Sequence, residues 1–209
     1  MNKICPDIAT AIADIRDGCT VLVSGFGGAG HPTDLIHALI EQGARDLTIV
    51  NNNAGNGENG LAALLKAGRV RKIICSFPKT ANSHVFDSLY AAKEIELELV
   101  PQGTLAERLR CAGAGLGGFF TPTGVGTPIA QGKPAEFALI QADAADRWGN
   151  LTYRKTARNF GPVMCAAATT TIVQVARIVP LGSIDPEHVV TPGIFVSRVV
   201  EVSHPLYSS

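Results

Sequence analysis

The stretch that most constrains the fold is an apolar run that leads into a glycine-rich loop and then into a helix. Residues 20–23 have β-branched, apolar character, and Pro32 opens an amphipathic pattern over residues 33–42. Glycine suits backbone that turns with positive φ or lies close to a ligand, and a helix N-terminus offers free N–H groups to an anion. We therefore predict a strand, a binding loop for a phosphate or an acyl oxygen, and a helix. The four glycines of the loop are Gly25, Gly27, Gly28 and Gly30.

The glycine loop alone does not identify its ligand. Gly25, Gly27 and Gly30 have the spacing of the dinucleotide pattern G-x-G-x-x-G, but that pattern on its own is a weak signal. No Gly-Lys-Ser/Thr follows, as a P-loop would require. The loop alone is therefore a weak indication of its ligand.

Composition narrows the class of protein. With 209 residues, of which 46% are hydrophobic and 17% charged, we expect one α/β domain over residues 1–209. The formal net charge is zero, which argues against nucleic acid or an anionic membrane as a partner. Five cysteines without a C-x-x-C pair, and five histidines without ligand spacing, indicate neither a disulfide framework nor a metal site. No apolar stretch approaches the roughly 20 residues that span a bilayer, so we expect a cytoplasmic protein.

Hydrophobic periodicity predicts alternating helices and strands. We expect a first helix over residues 7–17, strands over residues 47–50, 73–76 and 137–142, and last strands over residues 170–175 and 194–200. Strand, helix and strand in that order predict a parallel crossover.

Amides follow the strand over residues 47–50 and a further helix end and strand predicted over residues 91–100. Asn51, Asn52 and Asn53 come directly after the strand over residues 47–50, and ligands of open parallel sheets bind outside the carboxyl ends of strands. The alternative is an ordinary turn, since turns use Asn and Gly. Gln102 precedes Thr104, whose capping-box spacing predicts a helix after a short loop. Gln102 therefore points into the same crevice, or else it only ties down its own loop.

Three stretches resemble the family I coenzyme A transferases. Residues 17–32 follow the family's glycine-loop pattern, except that Ser24 stands where the first glycine usually is. Asn52 and Asn53 match an asparagine pair that precedes Ala-Gly in transferases of 3-oxo acids. Residues 101–108 are similar, residue for residue, to a segment whose glutamine lies in the active site.

The resemblance implies an α/β fold with an open, mainly parallel sheet and helices on both faces. It implies the A subunit of a two-subunit enzyme that moves coenzyme A (CoA) from succinyl-CoA to a 3-oxo acid, with CoA as a substrate moiety and no resident cofactor. Residues 73–78, 146–150 and 191–196 look closest to the 3-oxoadipate form, which serves aromatic catabolism. The family's catalytic glutamate lies in Ser-Glu-Asn-Gly, whereas here Gly57 precedes Glu58, so the resemblance assigns the nucleophile to the B subunit of a heterotetramer.

The resemblance also implies roles for individual residues. Gln102 is the expected catalytic residue, because its family counterpart helps to bind the reacting acyl group. The residues expected to contact CoA are Ser24, Gly25, Phe26, Gly27, Gly28, Ala29, Gly30 and His31. The residues expected to contact the acid are Asn52, Asn53, Thr121 and Gly124.

Other interpretations remain open. The acceptor can be acetoacetate in place of 3-oxoadipate. A stand-alone enzyme would use Glu58, although a glutamate at a helix entry is also favoured by the helix dipole. A third interpretation is a non-catalytic module that binds a phosphate ligand.

After Lys133 the chain lacks about a dozen and a half residues that its relatives carry. Either the chain is truly shorter or a segment is omitted from the sequence. The resemblance continues in step on both sides of the gap, which favours an omission.

Overall fold

A computed structural model describes residues 1–80, 82–119 and 135–204 of the chain. Thr121 and Gly124 lie outside the described residues. The helices are α1 (Ile8–Ile12), α2 (Thr33–Gln42), α3 (Leu61–Lys66), α4 (His84–Ala91), α5 (Gln102–Gly113) and α6 (Gly161–Ala166). The strands are β1 (Thr20–Val23), β2 (Leu47–Val50), β3 (Val70–Cys75), β4 (Glu96–Leu99), β5 (Ala135–Ala145), β6 (Leu151–Thr152), β7 (Ala168–Ile178) and β8 (Arg198–Glu201).

The strands form one sheet in the order β4-β3-β2-β1-β5-β7-β8, with every neighbouring pair parallel. The short strand β6 pairs antiparallel with β5. Because side chains alternate along a strand, Val21 and Val23 pack on one face and Leu22 on the other. Helices α1 to α4 cover the first face, and α5 and α6 cover the second. The predicted α/β fold with helices on both faces is confirmed.

The strand order places the glycine loop at a crevice. From β1 the chain continues to β2 on one side, whereas β5 lies on the other side of β1. The strand order reverses at this point, and open parallel sheets bind ligands at such switch points. The loop after β1 and the asparagines after β2 therefore leave the sheet next to each other.

The largest differences from the predicted bounds lie at the end of α1 and at the start of β8. Helix α1 ends at Ile12 and not at residue 17, because Arg198 donates to the carbonyl of Ala11 (2.7 Å) and pairs with Asp14 (2.6 Å). These contacts replace the continuing helical hydrogen bonds. The strand predicted from residue 194 begins at Arg198, since Gly193–Phe195 form a 3₁₀ turn.

Helix α5 starts earlier than its capping pattern predicts. The carbonyl of Pro101 accepts from the N–H of Leu105 (2.8 Å), so Gln102 already belongs to the first turn. Thr104 therefore lies inside the helix, where it is buried and caps nothing. The prediction of a Thr104–Glu107 capping box is wrong. Gln102 sits on the first turn of a helix rather than in a free loop.

Candidate active site

The glycine loop folds into a tight hairpin, which we call the glycine hairpin (residues 25–30). Phe26 and Ala29 exchange two backbone hydrogen bonds of 3.0 Å each, so Gly27 and Gly28 form a two-residue turn. Gly27 has φ +60° and Gly28 does not have a positive φ, as a type II′ turn requires. The hairpin thus presents backbone, not side chains, at its tip.

Ser24 stabilises the base of this hairpin. Its hydroxyl donates to the carbonyl of Gly30 (2.8 Å) and accepts from the N–H of Gln141 on β5 (3.0 Å). The residue is fully buried, so its side chain holds the two ends of the hairpin together and is not free for CoA. This corrects the expectation of a direct contact. Ser24 does not have a positive φ, and serine is therefore compatible with this position.

Asn159 fastens the hairpin from the side, and sequence reasoning missed it. Its Oδ1 accepts from the N–H groups of Gly25 (3.2 Å) and Phe160 (2.7 Å). Its Nδ2 donates to the carbonyls of Ala29 (3.0 Å) and Thr156 (2.9 Å). One side-chain amide therefore uses its full hydrogen-bonding capacity to position the glycine hairpin.

We expect Asn159→Ala to lower the free energy of unfolding by about 2 kcal/mol, because several partly buried partners lose their hydrogen bonds at once. Urea unfolding at fixed protein concentration measures the change. Asn2→Ala is the control, since Asn2 is exposed and its side chain accepts from one N–H, that of Ile4. Equal midpoints for the two variants would contradict the role of Asn159.

The imidazole of His31 packs over Gly25. A Cβ on Gly25 would lie 2.5 Å from two ring atoms of His31, Cε1 and Nδ1. The ring Nε2 donates to the carbonyl of Gly27 (2.9 Å). Burial lowers the pKa of His31 below its ordinary value, although the hydrogen bond to Gly27 opposes this shift. His31 therefore holds the hairpin as a neutral ring near pH 7.

This lowered pKa predicts a pH dependence of stability. In the unfolded chain a histidine gains its proton near pH 6.5, whereas folded His31 gains it at lower pH. The contribution of His31 is therefore complete above about pH 6.5 and falls as the pH drops from there towards the folded pKa. Urea midpoints between pH 5 and 8 should fall less steeply at low pH for His31→Gln than for the unchanged chain. Parallel curves would contradict this prediction.

The asparagines after β2 connect this hairpin to the rest of the crevice. Asn51 donates to the carbonyl of Val23 (2.7 Å) and accepts from the N–H of Asn53 (2.9 Å). Asn53 donates to the carbonyl of Gly27 (3.4 Å). It also borders a cavity of about 200 Å³ between the glycine hairpin and residues 55–61. The two loops therefore lie next to each other, as the order of the strands predicts.

Asn52 joins Gln102 in a hydrogen-bonded network. The Nδ2 group of Asn52 donates to Gln102 Oε1 (3.0 Å) and to Ser76 Oγ (3.0 Å). Ser76 in turn donates to the backbone carbonyl of Asn52 (3.1 Å). Asn52 is buried and Gln102 is exposed, so the network begins in the sheet and ends at the surface.

This network determines which way the Gln102 amide points. The hydroxyl of Ser76 donates its one hydrogen to the backbone carbonyl of Asn52. Ser76 Oγ must therefore accept from the side-chain amide of Asn52. Both hydrogens of Asn52 Nδ2 are then used, and Gln102 must turn its oxygen towards Asn52. The Nε2 group of Gln102 is left to donate outward, and no hydrogen bond from it occurs among residues 1–80, 82–119 and 135–204. Sequence reasoning missed Ser76, which fixes this orientation.

Glu58 borders the cavity beside Asn53, but its carboxylate is paired with other side chains. Its Oε2 lies 2.7 Å from Lys66 Nζ, and its Oε1 lies 2.7 Å from His84 Nε2. Its pKa is lowered by hydrogen bonds from Lys66 and then from His84. Both carboxylate oxygens are therefore engaged in exposed ion pairs, which fits the interpretation of a helix-entry glutamate.

Neither a membrane-spanning helix nor a metal site accompanies this crevice in the described residues. Within the part of the chain that the structure describes, no helix is both long and apolar enough to cross a lipid bilayer. Across the same residues, no group of three His, Cys, Asp or Glu side chains is arranged to hold a metal ion.

Comparison with known proteins gives consistent matches over nearly the whole chain. Residues 6–202 match the family model described as coenzyme A transferase. The chain is 58% identical, over 225 aligned positions, to the A subunit of 3-oxoadipate CoA-transferase from Pseudomonas putida, covering 100% of this chain and 97% of that protein. It is 56% identical to the protein of the same name from Acinetobacter baylyi, covering 97% of this chain and 96% of the relative.

A solved structure shows the same fold. The acyl-CoA transferase of Escherichia coli O157:H7, crystallised as a thioester complex with CoA, superposes with a TM-score of 0.85 at 22% identity. The match covers 97% of this chain and 47% of that one, so this chain spans about half of its length. Together with the family match over residues 6–202, the Pseudomonas and Acinetobacter relatives establish that the chain belongs to the coenzyme A transferase family.

Proposed function

We propose that this chain is the A subunit of a heteromeric CoA-transferase that moves CoA from succinyl-CoA to 3-oxoadipate. The catalytic glutamate comes from the B subunit. The observation that carries the proposal is the outward amide of Gln102, fixed by Asn52 beside the glycine hairpin, with Glu58 paired elsewhere. The names of the Pseudomonas and Acinetobacter relatives support both the substrate and the subunit type.

The chemistry proceeds through a covalent enzyme intermediate. The glutamate carboxylate that the B subunit supplies attacks the thioester carbonyl, and CoA leaves as a thiolate, which gives a succinyl-glutamyl anhydride. The thiolate then attacks the glutamyl carbonyl, which releases succinate and leaves a glutamyl-CoA thioester. One carboxylate of 3-oxoadipate then attacks the glutamyl thioester and expels the CoA thiolate, which gives a second anhydride. The thiolate attacks the 3-oxoadipyl carbonyl of that anhydride, so 3-oxoadipyl-CoA forms and the glutamate is released.

Gln102 contributes to the steps in which a carbonyl carbon becomes tetrahedral. Each such step places negative charge on the carbonyl oxygen, and a fixed N–H donor stabilises that charge more than it stabilises the ground state. The Nε2 group of Gln102 is such a donor, because Asn52 holds its oxygen. A neutral amide can do this without a proton transfer.

The decisive experiment compares this chain alone with the chain assembled with the B subunit. We expect transfer of CoA from succinyl-CoA to 3-oxoadipate only in the assembled complex, which should elute as a heterotetramer. Hydroxylamine trapping of the thioester, followed by mass spectrometry, should modify the B subunit. Transfer by this chain alone, or its loss in Glu58→Gln, would favour the stand-alone enzyme. CoA binding without any transfer in either form would favour a non-catalytic module.

The same assay decides the acceptor acid. The proposal requires kcat/KM to be higher for 3-oxoadipate than for acetoacetate. A higher kcat/KM for acetoacetate would contradict the proposed substrate while leaving the reaction itself unchanged.

A further inference from the structure

A second cavity of about 470 Å³ borders the glycine hairpin. Its walls are formed by residues 28–30, by the carboxyl-terminal part of β5 over residues 141–143, and by residues 153–157. Gly28, at the tip of the hairpin, borders both this cavity and the smaller one beside Asn53. A ligand that passes the hairpin tip can therefore extend from one cavity into the other.

This second cavity is electropositive. Arg154 and Lys155 line it, and Arg158 lies in the same 3₁₀ turn as Lys155, which spans Lys155–Arg158. All three cations are exposed, and none has a carboxylate partner within the described residues. Asp143 also lines the cavity, but its charge is paired with Arg177 at 2.8 Å. The uncompensated charge is positive and favours an anion.

Neutral donors lie in the same walls. The backbone N–H groups of Gly28 and Gly30 donate to no acceptor in the described part of the chain. The hydroxyl of Thr156, which also lines the cavity, makes no hydrogen bond with described residues. Backbone N–H groups, a hydroxyl and a guanidinium are the donors that bind phosphate and carboxylate oxygens.

Lys155 occupies an unusual backbone conformation. Its φ of +49° lies in the left-handed region, which disfavours residues that carry a Cβ. Glycine would fit this position with less strain, but it would lack the cationic side chain at the cavity.

We propose that this cavity, which we call the basic pocket (Arg154, Lys155, Thr156 and the backbone of residues 28–30), binds an anionic group of the substrate. The inference rests on the proposed function, and the anion is either a phosphate of the CoA moiety or the free carboxylate of a dicarboxylic acid. Either group reaches the pocket past Gly28, which borders both cavities.

The test uses the double variant Arg154→Ala/Lys155→Ala assembled with the B subunit. We expect KM to rise about tenfold or more for the substrate whose anion binds here, because charge-assisted hydrogen bonds are lost, while kcat changes little. If the anion is a phosphate, KM rises for succinyl-CoA but not for succinyl-pantetheine, which lacks the nucleotide phosphates. If it is a carboxylate, KM for 3-oxoadipate rises with either thioester.

Two further variants separate charge from backbone strain. Lys93 is exposed and has φ +59° but does not line this cavity, so Lys93→Ala should leave every KM unchanged. Lys155→Gly relieves the φ strain and should raise KM while the protein remains at least as stable. If Lys155 acted only through its backbone conformation, Lys155→Gly would not raise KM while keeping the protein stable.

Three results would overturn the inference. The first is KM values in the double variant equal to those of the unchanged complex. The second is loss of assembly in the double variant when Lys93→Ala assembles, which would assign these cations to the contact between subunits. The third is a calorimetric titration in which the double variant binds CoA and 3-oxoadipate with the same dissociation constants as the unchanged complex. Because calorimetry needs no turnover, it tests the pocket even if an inactive complex refutes the proposed function.

Discussion

Gln102→Ala in the assembled complex should lower kcat for CoA transfer by about 10²–10³-fold, the usual consequence of losing one fixed oxyanion donor. The loss should fall on kcat rather than on KM, because the donor acts on charge that exists only in the transition state. Gln102 is exposed and its oxygen accepts one hydrogen bond, from Asn52, so the substitution should cost about 1 kcal/mol of stability without preventing folding or assembly. Steady-state kinetics with succinyl-CoA and 3-oxoadipate measure the effect, and size-exclusion chromatography checks assembly.

A matched control lies on the same helix. Glu107 is a half-exposed residue of α5 that pairs with Arg110 at 2.9 Å, and Glu107→Ala should leave kcat within about twofold, as removal of a solvent-accessible ion pair usually does. Unchanged turnover in Gln102→Ala would remove Gln102 from the mechanism. An equal loss in both variants would show that the defect comes from helix α5 and not from the amide.

The proximity of Asn52 and Gln102 was predictable although 50 residues separate them. Asn52 follows β2 and Gln102 follows β4, and the carboxyl ends of the parallel strands β2, β3 and β4 lie along one edge of the sheet. The glycine hairpin was predictable for the same reason, since β1 precedes it and four glycines permit its turns. Local sequence patterns therefore predict which edge of the sheet carries the site and which residues follow its strands.

The supports of the site were not predictable in the same way. Asn159 holds Ala29 across 130 residues, and nothing in its neighbourhood distinguishes it from a turn asparagine. Ser24 was correctly placed in the loop, but its buried hydroxyl bonds to Gly30 and to β5, a partner that only the folded sheet supplies. The start of α5 depended on the carbonyl of Pro101 rather than on the Thr104 spacing. Long-range hydrogen bonds decide these details, and periodicity does not contain them.

The second large effect is expected for Gly30→Ala, at the base of the glycine hairpin. Gly30 has φ +76°, where alanine is strained by about 1 kcal/mol. Its new Cβ would also lie 2.5 Å from the carbonyl oxygen of Ala157 and 2.9 Å from Asn159 Nδ2, so backbone must move. Overpacking of this kind costs about 1–3 kcal/mol. We expect the free energy of unfolding to fall by about 2–4 kcal/mol, measured by urea denaturation.

Two other glycines separate the components of this loss. Gly182 has φ +85° with no atom within 4 Å of an added Cβ, so Gly182→Ala should show the strain alone, about 1 kcal/mol. Gly28 has open space and no positive φ, so Gly28→Ala should change stability by no more than about 0.5 kcal/mol. Its methyl group would stand at the hairpin tip that borders both cavities, and CoA affinity should fall without a loss of stability. If Gly30→Ala were no more destabilising than Gly182→Ala, the close packing of the hairpin against residues 157–159 would be disproved.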